Sequence, residues 1–150
     1  MNGLDAFDDR LAALIANLSP AARKEMARNI AKRLRASQQQ NIKRQQTPDG
    51  TPFVPRKAQS ARSKKGRVKR EMFKKLRTAK YMKAKAGADE AVVEFTGKVQ
   101  RMARVHHYGL RDRPARGVKE VLYEARPLLG FNKGDLEDIQ TEVIKFLNDF

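Results

Sequence analysis

Apolar residues at Leu4, Phe7, Leu11, Leu14 and Leu18 recur at steps of three and four, the spacing that gathers them on one side of a helix. Ser19-Pro20 then restarts the chain. Serine is a good N-cap, and proline suits the first helical position, where its missing N–H would lack a partner anyway. The second helix carries Met26, Ile30 and Leu34 in one stripe beside Ala27 and Ala31. Past Leu34 the stripe fades into RASQQQNIKRQQ, polar nearly all round but free of helix breakers. It reads as a helical extension, packed at one end and exposed or partner-bound at the other. Together the two segments predict a long N-terminal helical hairpin.

TPDGTPFVPRK ends that helix: Pro48-Asp49-Gly50 marks a tight turn, and Pro52 and Pro55 hold Phe53 and Val54 extended. Between Lys57 and Lys69 only Val68 is a sizeable apolar residue, too little burial to offset the entropy of ordering, so a mobile arm is expected. Met72, Phe73 and Leu76 return to helical spacing. The period then changes to two. Met82, Ala84 and Ala86 alternate with lysines, and after the GADE turn Ala91, Val93 and Phe95 alternate with Glu94 and Thr96, which predicts a hairpin with one buried face. EVLYEAR, with Val121, Tyr123 and Ala125 on one side, predicts a third strand. A last helix carries Leu136, Ile139, Val143, Phe146, Leu147 and Phe150 on one face, with Asn132 as N-cap and Asp135 three residues on. The fold expected is α+β: a small antiparallel sheet of about three strands packed with helices. No repeat or second domain is visible, so residues 1–150 read as one domain with a basic extended loop over 46–70.

Charge changes the picture. The chain holds 33 Lys and Arg against 17 Asp and Glu, a net +16. From Arg56 to Lys85 there are fourteen cations and a single acid, Glu71, so +13 of that excess sits in one stretch while both ends lean acidic. Such a split favours a polyanionic partner or head-to-tail contact between copies. Arg56, Lys57, Arg62, Lys64, Lys65, Arg67, Lys69 and Arg70 are the candidate contacts, either with an acidic protein neighbour or, without sequence specificity, with nucleic acid. Aromatics are not interleaved with this run, so base stacking is not its design. The absence of cysteine excludes a disulfide scaffold and thiolate metal sites. The acidic start MNGLDAFDDR and the short apolar runs argue against a secretory signal or a bilayer span, so a soluble protein without membrane contact, intracellular when made, is expected.

Both histidines stand together in RVHHYGL. On a helix, neighbours project about 100° apart, so His106 and His107 cannot reach one ion, and no His-Glu-x-x-His pattern accompanies them. They read as the end of a helix stopping at Gly109, with His106 half-buried and His107 near the last carbonyls, on a face shared by Val99, Met102 and Ala103. No phosphate loop or triad pattern appears either, so neither enzyme activity nor a cofactor is expected.

Several pieces in order resemble one family: NLSPAARKEMARNIAKRLRASQQQNI, PDGTPFVPRK, MFKKLRTAKYMK, VEFTGKVQRMARVHHYGL, and RPLLGF followed by DLEDI. They are similar to the phage virion morphogenesis family of contractile-tailed phages, over nearly the whole chain. The resemblance implies a noncatalytic structural role in finishing the tail so that it can join the DNA-filled head, at the head-proximal end of the tail or in the neck. It implies a hexameric ring of copies, contacts with tail tube, terminator or head–tail connector proteins and with the genome end in the channel, and a place in the virion. It makes Asp49, Gly50, Phe53, His106, Gly109, Arg126, Pro127 and Gly130 determinants of fold and assembly.

Overall fold

The computed structural model describes residues 3–56 and 71–149. Lys57, Arg62, Lys64, Lys65, Arg67, Lys69 and Arg70 lie outside the described residues, as does Phe150. The elements run α1 (Gly3–Ala16), α2 (Pro20–Lys43), β1 (Met82–Ala86), β2 (Ala91–Phe95), α3 (Gly97–Tyr108), β3 (Arg111–Asp112), β4 (Val121–Leu122) and α4 (Lys133–Asn148). The class is α+β, with four helices and two small antiparallel sheets of two strands each among the described residues. The described chain packs as two compact units, one of Met1–Arg35, Ala84–Val93 and Lys133–Phe150, the other of Ala36–Lys83 and Glu94–Asn132.

In the first unit, Ala22 and Met26 of α2 and Val143 and Phe146 of α4 form the buried cluster, with Leu11, Ile15, Leu18, Ile30, Ile139 and Leu147 against it. The start of α2 is as its sequence dictates: the Ser19 hydroxyl accepts the Ala22 N–H at 3.1 Å, and Pro20 is the first helical residue. Two faces are narrower than expected. In α1, Phe7 and Leu14 are exposed and the packing side is Leu11 and Ile15. In α4, Leu136 is 58% exposed, while Asp135 beside it is buried. A buried face is only as wide as the surface opposing it, and periodicity alone does not report that width. Arg33 meets Glu142 at 3.1 Å, an ion pair at the surface of this unit.

In the second unit Ile42, Met82 and Leu128 are the most fully enclosed side chains. Here the far half of α2 is not an exposed extension. Ile42 is fully buried, and Gln38 and Asn41 are buried with it. The segment holding Met72, Phe73 and Leu76 is a run of turns rather than a helix. Phe73 adopts φ +63°, a left-handed conformation that a right-handed helix cannot contain.

The third predicted strand does not extend the β1–β2 hairpin. Val121 and Leu122 pair instead with Asp112 and Arg111 as a separate ribbon. Beyond it two backbone N–H groups are already taken, that of Tyr123 by the Leu110 carbonyl at 3.2 Å and that of Arg126 by the His106 carbonyl at 2.8 Å. Donors spent in this way are not available to a ladder with the β1–β2 hairpin.

Truncating the packed and unpacked sides of α4 should separate them. Phe146→Ala is expected to lose about 3–5 kcal/mol in chemical denaturation, against less than about 0.5 kcal/mol for Leu136→Ala. Equal losses from the two would contradict this placement of the core.

Candidate assembly surface and its supporting clamp

The resemblance residues converge in the second unit. Gly50, at φ +90°, closes the turn by donating its N–H to the Thr47 carbonyl at 2.9 Å. The Asp49 carboxylate accepts the Thr47 hydroxyl and the Thr51 N–H, and these bonds hold its pKa at about 2. The turn delivers Phe53, whose ring begins a chain of edge-to-face contacts. Phe53 meets Phe73 at 5.6 Å between centroids, Phe73 meets His106 at 5.1 Å, and His106 meets Tyr123 at 4.8 Å. Four segments well separated in sequence are joined by this stack.

Helix α3 ends as its sequence predicts. Gly109 sits at φ +69° and donates its N–H to the Val105 carbonyl, the left-handed cap that glycine adopts without penalty. Space demands glycine as well, because a Cβ there would lie 2.7 Å from the Ala125 nitrogen. The segment Tyr123–Asn132 is drawn against that helix end. The Arg126 guanidinium donates to the Val54 carbonyl at 2.7 Å and the Pro55 carbonyl at 3.2 Å, tying it to the chain after the Asp49 turn. Leu128 donates its N–H to His107 Nδ1 at 3.1 Å. Gly130 exchanges two bonds with the Gln38 amide, at 2.8 and 3.1 Å, and packs on Pro48. Pro127 lines a cleft of about 440 Å³ with Pro48, Pro52, Val54 and the exposed Phe131.

The glutamines at the end of α2 are the residues that sequence reasoning missed. Beyond Gln38, Gln39 donates to the Arg77 carbonyl at 2.8 Å. Gln45, just past the helix at φ +57°, grips Met72 from both sides, accepting its N–H at 2.8 Å and donating to its carbonyl at 2.9 Å. Each amide carries a donor and an acceptor at the spacing of a peptide group, so it can complete a backbone that has no strand beside it. The signal was present as an amide-rich run on a helix with no breaker, but composition does not distinguish a solvated face from such a rack.

Both imidazoles are held below the ordinary histidine value. Burial is the main cause for His106, reinforced by the charges of Arg126 and Arg56 and opposed by Asp112; burial alone acts on His107. Among the described residues, no group of three or more His, Asp or Glu side chains could hold a metal.

Arg56 is the one predicted contact residue within the described chain, and it lines a groove of about 710 Å³. Met72, Phe73, Leu76 and His106 make this groove apolar, with Met102 at its side. Met102, expected on the packed face of α3, is 47% exposed instead, while Val105 is buried. Lys74, Lys75 and Arg126 join Arg56 in giving it a cationic lining, against a single acid, Glu71, which is engaged by Arg77 at 3.1 Å. Residues 57–70 connect two lining residues of this groove, Arg56 and Glu71.

A proline turn, a histidine-bearing helix end and an Arg-Pro-Leu-Leu-Gly strap are thus locked into one structural clamp beside a cationic groove. The family model for the phage virion morphogenesis family matches residues 3–148, and the chain belongs to that family. It is 44% identical over 148 residues to tail completion protein S of Escherichia phage P2, covering 98% of this chain and 99% of that protein. No solved structure matches.

The two imidazoles give the clamp a pH signature. Folding favours their neutral forms, so as pH falls through the ordinary histidine range the unfolded chain takes up protons first and stability is lost on the acid side. The melting temperature should fall between about pH 7.5 and 5.5, and His106→Phe with His107→Asn should flatten part of that fall. An unchanged slope in the double variant would contradict the assignment.

Proposed function

We propose that this chain is a tail completion protein, a noncatalytic assembly factor acting at the head-proximal end of a phage tail or in its neck, where it makes the tail competent to join the filled head. The observation that carries this reading is the 44% identity along essentially the full length of a protein named for tail completion. The local chemistry accords with a structural part. His106 is packed between Phe73 and Tyr123, and His107 accepts the Leu128 N–H, so both imidazoles are occupied in holding the clamp. Arg126 and Gln38 are likewise spent on backbone groups.

In this reading the protein resides in the virion after assembly in the host cytoplasm, and its partners are copies of itself in a ring and the adjoining tail or connector proteins. The segment from Arg56 to Lys85 gives it a strongly positive region to present to acidic neighbours or to the genome end. The alternative of a nonspecific nucleic-acid-binding module draws no support from the relatives.

Complementation tests the proposal. A phage lacking this chain should accumulate filled heads and tails that do not join, and supplying the chain should restore joined particles. Tails that joined filled heads in its absence would overturn the proposal.

A further inference from the structure

Two surfaces of the described chain are uncovered in complementary ways. In the second unit, residues 113–122 are exposed without a break. They belong to the β3–β4 ribbon, which has only two residues in each strand. Val118, Val121 and Leu122 stand 43, 38 and 58% exposed. Successive residues of a strand point to opposite sides, so Val121 and Leu122 leave an aliphatic group bare on each face. A two-stranded ribbon is marginal by itself in water and gains from a cover. Arg111, Arg113, Arg116 and Lys119 make it cationic. Of its two acids, Asp112 and Glu120, the first is engaged by Arg101 at 2.8 Å.

The first unit holds a groove of about 510 Å³ whose apolar lining includes Ile15, Met26 and Ile30. Ala12 and Ala16 keep its α1 wall low, and Asp89 and Glu90 supply acids from the hairpin turn. The Asp89 side chain is 91% exposed, with Arg23 at 3.8 Å. Helical geometry continues the acidic side along α1. Asp8 precedes Ala12 by one turn and Ile15 by two, and Asp9 precedes Ala16 by two.

We propose that the β3–β4 ribbon of one copy docks in this groove on a second copy, Val118 entering between the alanines while Arg116 and Lys119 face Asp89 and Glu90. The choice of a second copy rests on charge and size together: a cationic ribbon with aliphatic side chains meets an apolar groove whose lining holds two acids, Asp89 and Glu90, against one cation, Arg23, itself tied to the Leu18 and Ala88 carbonyls. Because the two patches differ, the contact is heterologous and repeats from copy to copy, giving a closed ring or an open chain. This deepens the self-association within the proposed function and rests on that part of it alone.

Sedimentation velocity of the full chain over a concentration series tests the contact. Wild type should self-associate, and Arg116→Glu with Lys119→Glu, or Asp89→Lys with Glu90→Lys, should each weaken association about tenfold or more by setting like charges together. All four changes in one chain should recover association to within about threefold of wild type. Val118→Asp offers a second disruption that does not rely on charge exchange. The altered side chains are exposed, so unchanged melting of each variant is expected. A wild type monomeric at every concentration would overturn the inference. So would reversal pairs without effect, or a fourfold variant that stays dissociated. Loss of DNA retention by the ribbon variant with unchanged sedimentation would overturn it too, assigning the ribbon to nucleic acid. Phage complementation scores the tail-completion reading separately: rescue by a monomeric chain would sink the contact and leave that reading standing.

Discussion

A backbone without a neighbouring strand must find its hydrogen bonds elsewhere, and this requirement governs the second unit. Its long irregular stretches, around Met72 and from Tyr123 to Asn132, have almost no sheet to join. Gln38, Gln39, Gln45 and His107 supply the missing partners from the ends of α2 and α3. Each bond between neutral groups adds only about 0.5–1.5 kcal/mol net, but a buried peptide group left alone costs about 1–3 kcal/mol, so the rack matters most for what it prevents. Arg126 extends the same logic with a charged donor, binding two carbonyls after the Asp49 turn.

That arrangement explains why the family-like motifs lie where they do. The Asp49–Gly50 turn, the Gly109 cap and the Arg126–Gly130 strap are separate in sequence, yet each meets another through a side chain or a close backbone approach. Their first task is to fix the shape on which the cationic groove and the β3–β4 ribbon are carried. Surface charge has little part in that shape, since exposed groups contribute little to folding.

The parts legible in the sequence are those specified locally. Ser19-Pro20 starts a helix, Gly109 ends one, Asp49-Gly50 makes a turn, and alternation at Met82–Ala86 and Ala91–Phe95 makes strands; all four follow from chemistry within a few residues. Tertiary context decided the rest. Leu136, Met102 and Phe7 fit their helical stripes but lack opposing surface, and Gln38 is buried because Gly130, 92 residues away, needs its amide. Phe73 leaves helical geometry while its ring packs between Phe53 and His106. The predicted third strand became half of a ribbon because the end of α3 and Leu110 just past it had claimed the donors of Arg126 and Tyr123.

Amide hydrogen exchange at Met72, Leu128 and Gly130 probes the clamp most directly, because these N–H groups donate to side chains and lie outside regular helices and strands. They should be protected as strongly as neighbouring amides in α3, with Gln38→Leu selectively exposing Gly130. Exchange at the rate of an open loop at all three positions would contradict the side-chain rack as the constraint that holds this unit together.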